Sequence, residues 1–167
     1  KFPEGYDLKY ELIIDPILIF GTYTGSGADN FGFTATYDDL KNTYVGGIVF
    51  SIGAYPTTTG AFQIAWAGGS GVDIGISKYN LDGSSMIYST YIGGNASEAP
   101  HSLVTNAAGE LFILGTTSSP NYPTTAGSFD NTFNGGLFVA PPSSGMSYPN
   151  GSDIIVTHLN AGGTGLI

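Results

Sequence analysis

A chain of 167 residues is long enough for one domain with a real core, and 41% hydrophobic residues are too many for a disordered linker. Glycine (26) and proline (9) interrupt it too often for long helices, while 21 Tyr and Phe with frequent Thr and Val runs bias it towards β structure. Four lysines and no arginine against thirteen carboxylates exclude binding to a phosphate backbone, hence a nucleic-acid partner, and the lack of cysteine excludes disulfides, thiolate metal sites and thiol nucleophiles.

No apolar run approaches the roughly 20 residues of a membrane span, so none is expected. The opening KFPEGYDLKYELIIDP lacks the basic-then-apolar order of a signal peptide, so residue 1 is expected to be an interior point of a longer precursor. Residues 9–14 alternate as a half-buried strand that Asp15-Pro16 ends. Residues 1–16 therefore read as the end of an upstream β domain or a linker strand.

From residue 18 the order is LIFGTYTG (18–25), a Gly/Asp/Asn loop (25–30), FTATY (33–37), the turn DDLKN, and TYVGGIVF (43–50). The loop AYPTTTGAFQIAWAGG (54–69), DIGISKYN (73–80) and the turn Leu81-Asp82-Gly83 follow. At IYSTYIGG (87–94) the series starts again, Tyr88 standing 68 positions after Phe20. HSLVTN and ELFILG match FTATYD and NTYVGG at that spacing, and NYPTTAGSFDNTFNGG matches the first long loop at 67. DIIVTHLN matches DIGISKYN at 80, so a 13-residue insertion falls within residues 137–150, whose Pro, Ser and Gly content marks a surface loop.

Five segments matching in one order are a tandem repeat, and four short strands per period are the mark of a propeller blade. Such repeats run to about 40–50 residues; the YPTT loop accounts for the excess here. The Leu81-Asp82-Gly83 turn closes a hairpin, which makes 86–92 the outer strand of blade one. The predicted division is an orphan outer strand with its loop (17–30), blade one (31–94) and blade two (95–167, fourth strand opening at Leu166). The fold class expected is all-β, with about two four-stranded antiparallel blades of a larger propeller. Propellers need about four to eight blades, so the segment 18–23 is expected to complete a blade this chain does not hold, and the chain is read as a fragment.

LIFGTYTGSGADNFG, IYSTYIGG, the turns into TYVGG and ELFILG, the YPTT-x-G-x-F loop and the Gly-Gly…Asp-Ile strand together resemble the SBBP-type β-propeller repeats. These occur in large secreted and surface proteins of bacteria, gliding bacteria among them. The likeness spans residues 15–167, and GYDLKYELIIDP (5–16) is similar to the link by which an upstream β domain enters such propellers. Blade two departs from the pattern in its insertion and in Pro100-His101, where blade one has Gly32-Phe33. The resemblance implies an extracellular or cell-surface setting and a non-enzymatic adhesion or scaffold module.

The candidate chemistry is sparse. His101 stands in the slot of Phe33 and His158 in that of Lys78, with no serine or carboxylate at a motif spacing, so both read as structural or solvent-facing. Asp38-Asp39 lies in a hairpin turn, where Asp is expected for local hydrogen bonds. Asp73 and Asp153 recur in both copies, which suits a repeated hydrogen bond to loop amides better than the carboxylate pair of a glycosidase. A sialidase-like site would need arginines, and there are none. No cofactor is expected; calcium is the one cation the hard oxygens of Asp29, Asn30, Asp73 and Asp153 would suit, without an EF-hand or nonapeptide pattern. Trp66 and Phe133 share a slot that reads as a plug between blades. Tyr55, Trp66, Tyr122 and Tyr148 are the aromatics that could stack on a glycan.

The expected function is a non-catalytic scaffold, adhesion or protein-interaction segment. Its expected partners are the remaining blades and domains of its parent chain, with surface polysaccharide or another surface protein beyond them. The alternatives are a lectin-like propeller and part of a polysaccharide-acting enzyme with its catalytic residues elsewhere.

Overall fold

Runs of β-branched and aromatic residues between Asp, Asn and Gly turns leave short strands as the only regular structure available. The computed structural model describes Lys9, Glu11 and residues 17–50, 55–69, 71–141 and 145–167. Among the described residues there is no helix, and seven strands form two antiparallel sheets. Sheet one takes β1 (Asn30–Tyr37), β2 (Thr43–Phe50), β3 (Val72–Tyr79) and β4 (Met86–Ile92) in sequential order. Sheet two takes β5 (Glu98–Thr105), β6 (Leu111–Thr117) and β7 (Asp153–Leu159). After β7 the chain doubles back, with a bridge between Leu159 and Leu166 and a 2.9 Å bond from the Ile167 amide to the His158 carbonyl. Blade two was expected to be truncated in its fourth strand, opening at Leu166; the sheets have four and three strands, with this bridge where that strand would begin.

The two copies fold alike down to their irregularities. The register of β1 against β2 shifts between Gly32 and Thr34, and that of β5 against β6 between Pro100 and Ser102. A bulge in the same slot leaves Phe33 and His101 unpaired. Lys41 and Gly109 also correspond, and both are left-handed, at φ 65 and 75. Glycine takes that conformation freely, whereas a residue with a Cβ is strained there by about 1 kcal/mol. Lys41→Gly is therefore expected to raise the melting temperature by ~2 °C, read in a thermal melt.

The sheets pack face to face. Tyr44, Ile74, Ile76, Tyr88 and Ile92 of sheet one form one cluster with Leu103, Leu111, Ile113, Ile155 and Leu159 of sheet two. The first YPTT loop runs along the free edge of β4: the Thr58 amide bonds to the Ser89 carbonyl at 3.0 Å, and the Tyr91 amide to the Gln63 carbonyl at 3.0 Å. Its role is thus to cover an edge strand. The described part of the insertion is a small hairpin, Val139 and Tyr148 exchanging backbone bonds at 3.0 and 2.7 Å.

Residues 18–23, expected as an outer strand, pair with no strand among the described residues. Phe20 nevertheless lies over Gly83 in the β3–β4 turn, as Tyr88 lies over Gly163 in the turn after β7. The strand expected over residues 9–14 falls outside the described residues, Lys9 and Glu11 apart.

Candidate functional site

Two polar arrangements and one apolar one stand out in this fold. The first ties the turn of sheet one to sheet two. Asp38 accepts from the Asn42 amide and side chain, both at 2.9 Å, and lies 3.3 Å from the Lys78 ammonium. The Tyr44 hydroxyl sits 3.0 Å from Asp38 Oδ2 and 2.9 Å from the Gly109 carbonyl of sheet two. Burial pushes the Asp38 carboxyl up, but the Asn42, Tyr44 and Lys78 bonds outweigh it and hold it below its ordinary value. The Lys78 ammonium also lies 4.7 Å from the centre of the Tyr44 ring.

Copy two rebuilds this device with acid and amide exchanged. Asn106 occupies the slot of Asp38, Glu110 that of Asn42, His158 that of Lys78 and Phe112 that of Tyr44. The Asn106 side chain donates to Glu110 at 2.7 Å, His158 lies 3.0 Å from the same carboxylate, and its ring stacks on Phe112 at 4.0 Å. The Asn106 bond, chiefly, and the His158 bond hold Glu110 below its ordinary value. His158 is therefore the structural base of a repeated turn, with a carboxylate partner that sequence spacing gave no reason to expect. His101 makes a 2.8 Å contact with Thr116 on the exposed side of sheet two.

The second arrangement is the seam between the sheets, where residues 93–96 cross over. Four successive amides there donate to side-chain oxygens: Gly93 to Gln63 and Gly94 to Glu98 at 3.1 Å, Asn95 to Asn121 at 2.9 Å and Ala96 to Ser119 at 2.8 Å. Glu98, fully buried, also accepts from Thr117 at 2.6 Å. Asp73, fully buried as well, accepts at Oδ2 from the Ala67 amide at 2.8 Å and the Gln63 side chain at 3.1 Å. Asp153 takes the Asn134 amide at 2.8 Å in the matching slot, so the repeated bond to a loop amide is present in both copies. Asp73 Oδ1 is buried and has no hydrogen-bond partner.

The four oxygen donors weighed for calcium stand apart. Asn30 and Asp73 both pair with Val49, which separates them by a strand; Asp29 is exposed beside Asn30, and Asp153 is in sheet two. Among the described residues no three His, Cys, Asp or Glu gather as metal ligands. Of the four aromatics weighed for a glycan, only Tyr55 and Trp66 come together. Tyr55 is buried against Ser77 at 2.7 Å, Tyr122 repeats that bond to Thr157 at 2.7 Å, and Tyr148 is buried in the insertion. Trp66 packs on the cluster of Val49, Tyr55 and Tyr91. Glu98 escaped the sequence reading because its slot in copy one holds Asn30, so the repeat did not flag it.

The third arrangement is a pair of open faces. On the outer side of sheet two, Phe112, Leu114, Ile154 and Val156 are exposed, the last two at 77% and 74%. Their counterparts in sheet one, Tyr44, Gly46, Ile74 and Ile76, are buried under sheet two. Phe129 is fully exposed, whereas its counterpart Phe62 packs into the inter-sheet core. The far side of sheet one is open as well. A cleft of about 270 Å³ lies there between Phe20, Thr22 and Thr24 and the β2 residues Val45, Gly47 and Val49. Ile113, the β6 counterpart of Val45, is fully buried beneath sheet one.

Compared with known proteins, the chain matches no family model and no curated protein.

Proposed function

We propose that this chain is a non-catalytic β-propeller segment of the SBBP type, a scaffold, adhesion or protein-interaction part of a large secreted or surface protein of a bacterium. One observation carries the reading: each sheet offers an apolar outer face, and the outer face of sheet one is what sheet two covers. The same slots in sheet two stand open, as does the far side of sheet one, so the contact is heterologous and can be repeated in both directions. A heterologous contact closes into a ring when its rotation allows and otherwise builds an open array. The repeated turn device, the repeated Asp–amide bond and the ring over the turn glycine all recur with it. The buried acids Asp38, Asp73 and Glu98 each hold a backbone amide, which supports a structural role for them.

Charging the open face tests the reading. The protein is expected to self-associate with rising concentration in sedimentation velocity, and Ile154→Lys with Val156→Lys is expected to abolish that association. A monomer at every concentration, with a melting temperature unmoved by the two changes, would sink the stacked-sheet reading. Turnover of a polysaccharide by the parent protein, lost with Asp73→Asn or Asp153→Asn, would overturn its non-catalytic part.

A further inference from the structure

We propose that Asp73 and Glu98 share one proton across the seam between the two sheets, forming a joint that is tight in mild acid and loosens as the medium approaches neutrality. Asp73 comes from the start of β3 in sheet one and Glu98 from the start of β5 in sheet two, and both are fully buried. A methyl group added to Gly93 would lie 2.6 Å from Asp73 Oδ1 and 2.7 Å from Glu98 Oε2, so the two oxygens converge on one spot. Only a glycine fits between them.

Two buried carboxylates so placed cannot both be ionised unless a positive charge joins them. What acts on Asp73 is burial, the Ala67 amide, the charge of Glu98 and the Gln63 side chain. What acts on Glu98 is burial, the Ser119 and Thr117 hydroxyls and the Gly94 amide. Among the described residues no cationic group contributes to either. The proton is the cation that fits, and the hydrogen bonds say where it sits. Asp73 Oδ2 already accepts two bonds, whereas Oδ1 has none and is the free oxygen of the pair. A proton on Asp73 Oδ1 removes one of the two buried charges. The joint then becomes a neutral acid beside a carboxylate that the Gly94 amide and the Thr117 hydroxyl hold.

Burial, the larger effect, and the charge of Glu98 push the Asp73 carboxyl up to about 7, and burial raises Glu98 too. An unfolded aspartate releases its proton near pH 4. Between those values the folded chain holds the extra proton, so stability falls as the pH climbs through that interval. The other titratable groups bearing on the pair are Tyr91, Tyr122 and Tyr148, all raised by burial and neutral throughout the window. Asp38, shifted the opposite way, acts only in stronger acid.

Thermal melts of the 167-residue chain from pH 5 to pH 9 test this, with a carbon-13 titration of the Asp and Glu carboxyls as a second readout on the unaltered protein. The melting temperature is expected to fall by ~5 °C or more between pH 5 and about pH 7 and to level off above that. One carboxyl of the pair is expected to titrate well above the ordinary range. Asp73→Asn, which keeps a donor on that side chain, is expected to flatten the profile, and the exposed Asp82→Asn to leave it unchanged. A flat or rising profile in the unaltered protein, or both carboxyls titrating below pH 5, overturns the proposal. So does recovery of the loss near neutrality by millimolar calcium, which would make a metal ion the shared charge.

Discussion

Asp38→Ala lowers the stability of the fold by about 3–5 kcal/mol, the largest effect expected of any exchange of a polar residue here. The reason is what it leaves behind. Lys78 and Asp38 have side chains only 8% and 4% exposed, so removing the acid strands an ammonium group in the interior. The Asn42 amide and side chain lose their acceptor at the same stroke, and the Tyr44 hydroxyl keeps only the Gly109 carbonyl. Chemical denaturation with linear extrapolation reads the loss directly. Adding Lys78→Met to the alanine variant removes the stranded charge and is expected to recover part of the stability. A double-mutant cycle in which the two changes add would show that the pair does not interact.

The second large effect belongs to Gly163→Ala, expected to cost about 2–4 kcal/mol and to lower the melting temperature by ~5–10 °C. Gly163 has φ 68, where an alanine is strained, and its Cβ would run into the ring of Tyr88. Tyr88 is 2% exposed and sits in the core shared by the two sheets, so it has nowhere to go. Gly83→Ala supplies the comparison. It has φ 67 and the same clash with Phe20, but Phe20 is only half-buried and follows the exposed Ile17, Leu18 and Ile19. That ring can yield, so Gly83→Ala is expected to cost mainly the backbone strain, about 1–2 kcal/mol. Equal losses at the two sites would mean that Tyr88 is no better anchored than Phe20.

Most strand positions were legible because period-two alternation and turn residues are local signals. The Asp82-Gly83 turn placed the β3–β4 hairpin, and the Asp38 turn placed β1 against β2. Both bulged strands, however, start earlier than the alternation indicates: β1 at Asn30 and not at 33, β5 at Glu98 and not at 101. A bulge resets the alternation, and Pro100 reads as a break, so the residues before them looked like loop. Glu98 was lost in that way, and with it the seam. The turn device of copy two was hidden for another reason. Its acid sits four places further along than in copy one, and slot-by-slot comparison sees a mismatch where the folded chain keeps the same bonds. Which face meets which is set by pairs such as Tyr44 and Gly109, 65 residues apart, and no local pattern encodes that.

The Phe62 amide bonds to the Gly163 carbonyl at 2.8 Å, and the loop that carries it also holds the edge of β4. A segment of the first copy thus clasps a turn of the second while bracing its own sheet. Loss of the Gly163 turn would release the clasp, bare the β4 edge and open the Tyr88 core together. In a tandem array this couples neighbours more strongly than face-to-face contact alone, so melting spreads across the joint instead of stopping at it. The two sheets are then one cooperative unit, and hydrogen exchange at β2 and at β6 should proceed at a common free energy.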